Sequence, residues 1–374
     1  MGVTLILFPN VLLRGSMIAL LVYTLETFVY FISGNVFYDS ISNVITSYLM
    51  MGSALVLTDY VFTYDKDYSF TKQTLFTSIS SLVAISIISI PILRVNPDII
   101  RSVYSIHSLG DNEVTSVSSW LIGWNSVTGM TCIISTLVFL CKKIYSRNKK
   151  MFYFWVGSTT ILYYIVFQSN IATPFVVCTI MVVIGLLFGD ETFNRTNKAK
   201  IAIVGLLSAL LMTPAILLPV LSFFQRFMPF GATYKRIDEI KDTLVFGEAS
   251  ADSDLGGRNE LYSNSWDLFL ESPFVGTFTP ERIGYHSYFI DRLACHGLLF
   301  IIPLVIIFVV HFKYVYKRLN HTKVTYTFGF FALLFMLFIK SESFWLFGFF
   351  LLPNLCRYID GIMDNKSSVV LRHR

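Results

Sequence analysis

Two short stretches hold the residue types most suited to chemistry. In "GGRNELYSNSWDLFLESPFVG", residues 256–276, two glycines precede Arg258, and a Tyr/Trp/Phe stripe runs to a Ser-Pro stop. The glycines break the chain just before a helix over 259–271, with Tyr262, Trp266 and Phe269 on one face and Leu261, Ser265 and Leu268 on another. That puts Arg258 at a helix start, where free N–H groups and the positive dipole end also point outward. Together they suit a phosphate oxygen. The competing reading is a solvated loop arginine, which composition alone favours.

The second stretch is "ERIGYHSYFIDRLACHGLLFIIPLVIIF", residues 281–308. A turn at Gly284 leads to His286, then to Ser287 as a candidate N-cap, then to a helix that runs on into an apolar segment. Asp291, Arg292 and His296 fall within the next three turns, and Arg292 and His296, four apart, can share a face. A histidine at the water interface gains and releases a proton near neutral pH, so His286 could act as acid, base or donor. It could equally be a histidine that only hydrogen-bonds locally.

The elements around these stretches are apolar. Of 374 residues, 54% are hydrophobic and 14% charged, with mean hydropathy +0.63. A soluble domain carries roughly 25% charged residues, so the composition implies an integral membrane protein built of helices. Apolar runs near 16–34, 43–63, 74–95, 120–141, 151–169, 172–189, 201–223, 293–312, 324–340 and 343–360 give ten spans. The basic loops 141–150, 189–200 and 312–323 and the "LRHR" tail then share one side, the cytoplasm, with both termini. Segments 96–119, 168–172, 224–292 and 341–343 face outward. The chain therefore divides into a membrane bundle over 1–223, an outer loop subdomain over 224–292, and spans 8–10 with a cytoplasmic tail over 293–374.

The outer loop carries seven basic and eleven acidic residues, a poor balance for general attraction to anionic headgroups. A second helix is expected over 234–246, from Ile237, Ile240 and Leu244. Net charge is +5 with no basic tract, so nucleic acid is not implied. The five cysteines lack metal-ligand spacing and read as buried small hydrophobes. Asp252-Ser253-Asp254 matches D-x-D but reads as acidic loop rather than a metal site. Glu26 and Asp59 fall inside or at the edge of spans, where charge is costly, or simply near helix ends. Pro174, Pro214, Pro219 and Pro303 should kink their helices. The start has no A-x-A-like cleavage site, so no signal peptide is expected.

Taken together, the two stretches resemble the signature of the O-antigen ligase/polymerase superfamily: a G-R-x-x-x-(W/Y) helix, an (S/N)-P-x-x-G stop, then H-(N/S) leading into a G-(L/I)-(L/I) membrane helix. The match covers about 55 residues strongly, and "IGWNSVTG" (122–129) resembles an earlier outer-loop motif with Asn125 at a helix start. The resemblance implies a GT-C-like glycosyltransferase fold in the bacterial inner membrane, with the active site outside. The implied donor and acceptor are undecaprenyl-diphosphate-linked oligosaccharides, with no cofactor and no metal, and with a chain-length regulator and a flippase as possible partners.

On this resemblance Arg258 stabilises the diphosphate leaving group, and His286 orients or deprotonates the attacking hydroxyl or binds the diphosphate. Arg282, Arg292 and Arg101 are further phosphate contacts. Asp291, Glu260 and Glu342 are alternative bases, and Asn125 and His296 are further binding residues. The pattern departs from the family at "FQSNIATPF" (167–175), where Asn170 stands in the place of an arginine in several members. A repeat-unit polymerase is the reading favoured. The alternatives are a ligase that moves the finished chain to lipid A–core and, in another class, a flippase for lipid-linked sugars.

Overall fold

The structure is a computed structural model describing residues 15–32, 41–95, 99–100, 122–145, 148–169, 171–188, 214–226, 232–246, 254–277, 283–284, 286–339 and 344–372. Arg101, Asn170, Arg282 and Glu342 lie outside the described residues, as does most of the D-x-D stretch. The described residues are helical, with no strand among them. They form α1 (Gly15–Ile32), α2 (Ile41–Tyr64), α3 (Ser69–Val95), α4 (Trp124–Ile144), α5 (Lys149–Gln168), α6 (Ala172–Leu187), α7 (Pro214–Gln225), α8 (Ala232–Phe246), α9 (Asp254–Glu271), α10 (Tyr288–Arg318), α11 (Lys323–Ile339), a π-helical turn (Phe347–Leu351) and α12 (Leu352–Arg372).

Among the described residues, Ser69–Val95 and Trp124–Ile144 are long and apolar enough to cross a membrane, and the bent pair Tyr288–Leu299 with Ile301–Arg318 makes a third if it counts as one span. Ser16–Val29, Ala172–Leu187 and Lys323–Ile339 are shorter apolar helices. The chain is thus an all-α protein with helices suited to a membrane.

Two compact units emerge, residues 1–73 with 258–374, and residues 74–257. In the unit spanning 74–257, α4 is the centre: 78% of its apolar window is buried, against 22% for α3. Both α5 and α6 pack on α4. Gly185 makes the α6 contact possible, because a Cβ there would lie 2.5 Å from the Ser135 carbonyl oxygen. Asn148 starts α5 by accepting the Met151 N–H at 3.1 Å, and Phe76 of α3 stacks on Phe154 with centroids 5.1 Å apart.

The other unit is built around α10, which packs on α1, α2 and α11. Tyr23 of α1 meets Tyr288 of α10, hydroxyl to hydroxyl, at 2.9 Å, and Tyr288 packs edge-on against Trp345 at 5.4 Å. At the far end of α10, Asp360 of α12 accepts the N–H groups of Asn320 and His321 and the hydroxyl of Thr322, closing the α10–α11 turn.

Three local expectations change. The helix carrying Arg258 already includes Asp254 to Gly257. Two glycines cost a helix only modestly. Arg258 therefore lies at least one turn inside, beyond the free N–H groups of the helix start. Second, Pro174 lies in the first turn of α6, just after the Ile171 N-cap, where its missing N–H is not needed. Third, α10 does not run straight on into its apolar segment: it breaks at Gly297, six residues before Pro303.

Candidate functional site

The two stretches singled out by residue type meet where α9 packs on the start of α10. Ser265, buried on α9, is the hinge pin. Its hydroxyl accepts the Gly284 N–H at 2.9 Å and donates to Asp291 Oδ1 at 2.7 Å. The other Asp291 oxygen accepts the Ser287 N–H at 2.8 Å. Ser287 in turn caps α10, its Oγ accepting the Ile290 N–H at 3.2 Å, as the sequence predicts. Gly284 lets the chain lie directly on α9, since a Cβ there would come within 2.3 Å of the Leu261 carbonyl oxygen. Beneath this polar line, Leu268, Phe269, Ile283, Ala294 and Cys295 form an apolar seal.

His286 sits half-buried between Gly284 and Ser287. The Tyr262 ring lies edge-on to it with centroids 6.2 Å apart, and the Tyr262 hydroxyl donates to the Ile339 carbonyl at 2.9 Å. Tyr262 is one turn after Arg258 on α9, so the fastening of α9 also fixes the backbone that carries the arginine. Arg292 is buried at 2% exposure. Its Nη1 lies 3.4 Å from His296 Nε2, and its guanidinium stands over the Tyr288 ring at 5.2 Å.

A second junction follows within one turn. The Ser272–Gly276 turn that ends α9 docks against the α10 break. Leu298 and Leu299 donate their N–H groups to the Pro273 and Phe274 carbonyls at 2.9 and 3.2 Å, and Thr277 N–H donates to the Ala294 carbonyl at 2.9 Å. The backbone groups freed by breaking α10 are therefore paired by that turn. Gly276 and Gly297 have φ of 76° and 70°, a region open chiefly to glycine. Added Cβ atoms would lie 2.2 Å from the Cys295 carbonyl oxygen and 2.4 Å from Phe274 backbone atoms. Segments Tyr288–Leu299 and Ile301–Arg318 bend by 109° across the break.

This geometry redistributes the expected roles. Asp291, on the stretch before the apolar run from residue 293, is pushed up to about 6 by burial, partly offset by its hydrogen bonds and by Arg292. Both its oxygens are engaged in holding the junction, so it is a positioning group rather than a free base. Arg292 and His296 are brought together but lie buried, at 2% and 1% exposure. Glu260 is exposed on α9. Asn125 is exposed at the second position of α4, with Gly123 rather than Asn125 as the N-cap; it belongs to the other unit. His286 is half-buried at the junction.

Ser265 was missed as a site residue. Its signal was a serine between leucines on an apolar helix face. Tyr262 reads only as part of an aromatic stripe, and Tyr288 carries no signal in the sequence pattern. No cluster of three His, Cys, Asp or Glu residues that could hold a metal occurs among the described residues. No protein-family model, curated protein or solved structure matches the chain.

Proposed function

We propose that this chain is a membrane glycosyltransferase, a repeat-unit polymerase of the O-antigen ligase/polymerase type, with ten spans, cytoplasmic termini and its site on the outer face of a bacterial inner membrane. An acceptor sugar hydroxyl attacks the anomeric carbon of the donor glycan. The bond from that carbon to the diphosphate oxygen breaks, and undecaprenyl diphosphate leaves with the electron pair. The hydroxyl proton passes to a base, for which His286 is the candidate. Arg258 meets the negative charge that grows on the diphosphate. The acceptor is another lipid-linked repeat unit, extended at its non-reducing end.

The observation that carries this reading is the double fastening of the two signature stretches. Ser265 ties the Arg258 helix to the His286 turn through Asp291 and Gly284, and the Pro273–Gly276 stop pairs with the Gly297-Leu298-Leu299 break. Residues recognised as one signature by their order are thus one structural unit, which fits a site in which an arginine and a histidine must hold a fixed separation.

The test is a deletion strain analysed for surface glycan and carrier-linked glycan. A polymerase predicts single repeat units exported and attached to the core. Long carrier-linked polymer with no attached glycan would make the protein the ligase, and units trapped inside would make it the flippase.

A further inference from the structure

An apolar groove of about 540 Å³ runs between α10 and α11 in the unit that also holds the candidate site. Phe289 and Leu293 close it at one end. Phe308, Phe312 and Phe330 line its floor, and Lys313 is its only charged lining residue. Val305, Val309, Phe331 and Phe338 along the rim are 43–59% exposed, so the groove opens sideways onto an apolar surface.

The charge at the Lys313 end is one-sided. Lys317 follows one turn later, and Lys323, at the start of α11, stands over the Tyr316 ring at 5.4 Å. Residues 301–339 contain no acidic residue. The carboxylates of Asp360 and Asp364 are engaged with the 320–322 turn and with His321, and that of Asp59 is buried against Tyr314 and Thr63. From Ile301 to Lys313 the helix rises about 18 Å, close to the half-thickness of about 15 Å of a bilayer hydrocarbon core. A slot one leaflet deep, apolar throughout and basic at one mouth, has the chemistry of a chain with a phosphate at its end.

We propose that this groove holds one acyl chain of an anionic phospholipid, from the leaflet at the C-terminal end of α10, with its phosphate on Lys313 and Lys317. The inference rests on the membrane reading of the chain, and the choice of a phospholipid over the isoprenoid carrier rests also on the proposed transfer site. The isoprenoid carrier is the poorer occupant. Its diphosphate belongs with Arg258 and His286, at the opposite end of α10, and would leave the basic mouth unused.

The test is native mass spectrometry of the full-length protein, purified in mild detergent and supplied with phosphatidylglycerol or phosphatidylcholine. Wild type should retain one phosphatidylglycerol and hold phosphatidylcholine at least tenfold more weakly. Val309→Trp, which fills the groove from its rim, should lose that retained lipid, and Phe331→Trp does the same from α11 if the first variant fails to fold. Lys313→Gln with Lys317→Gln should remove the preference for the anionic headgroup. Equal retention in wild type and both tryptophan variants overturns the proposal, as does equal retention of the two lipids. Displacement of phosphatidylglycerol by an equal concentration of undecaprenyl phosphate would also overturn it, by making the groove a carrier site. Loss of surface polymer in any of these variants bears on the transfer reading and leaves the lipid count unaffected.

Discussion

Each end of α10 is held by a buried aspartate, and the two holds are built differently. At the C-terminal end Asp360 takes three donors from the consecutive residues 320–322. Removing one donor leaves two. Asp364 on His321 adds a further tie to the same turn. At the N-terminal end Asp291 takes the Ser265 hydroxyl on one oxygen and the Ser287 N–H on the other, with the His286 backbone N–H as a further donor. The first arrangement closes a turn. The second joins two segments, one carrying Arg258 and the other His286. A cap whose donors are consecutive suits a structural pin; a cap whose donors come from two segments, residues 265 and 286–287, passes a disturbance from one segment to the other.

The strongest way to break the N-terminal hold is at its backbone. Gly297→Ala places a Cβ against Phe274 and forces a positive φ on alanine. It should cost about 3 kcal/mol or more and remove most folded protein, read as yield and thermal stability. The aspartates come next and sharpen the contrast. Asp291→Ala and Asp360→Ala should each cost about 3 kcal/mol. Only the former should cut glycan transfer per folded molecule, by about 100-fold, as expected if roughly 2.7 kcal/mol of positioning is lost. The latter should stay within about twofold. Ser265→Ala leaves Gly284 N–H and Asp291 short of a partner. A loss of about 1–2 kcal/mol in stability and about tenfold in transfer is expected. Tyr262→Phe removes the bond to the Ile339 carbonyl while keeping the ring beside His286. It should lower stability by about 1 kcal/mol, with transfer nearly unchanged.

Much of the local structure was legible in the sequence. The helix expected over 234–246, the Ser272-Pro273 stop and the Ser287 cap each follow from residues a few positions apart, where turn and cap chemistry acts. The Gly297 break was not legible, because the apolar run is continuous through it and the donors it frees are paired by residues 273 and 274, distant in sequence. The early start of α9 was hidden by Gly256 and Gly257, whose cost in a helix is modest. Asp291 reads from type alone as a base. Only its hydrogen-bond partners, one of them 26 residues away, turn it into a positioning group. Arg292 likewise reads as an outward cation until its burial against Tyr288 and His296 is seen.

We propose that the α9–α10 junction holds Arg258 and His286 for transfer from a lipid diphosphate. The most direct measurement is the surface-glycan length ladder in cells whose only copy carries Arg258→Ala, with matched membrane expression and an Asp360→Ala strain as control. The account predicts collapse of the Arg258→Ala ladder to core plus one unit, with the control ladder retained. A full-length ladder in the Arg258→Ala strain would contradict it and return this arginine to a solvated surface role.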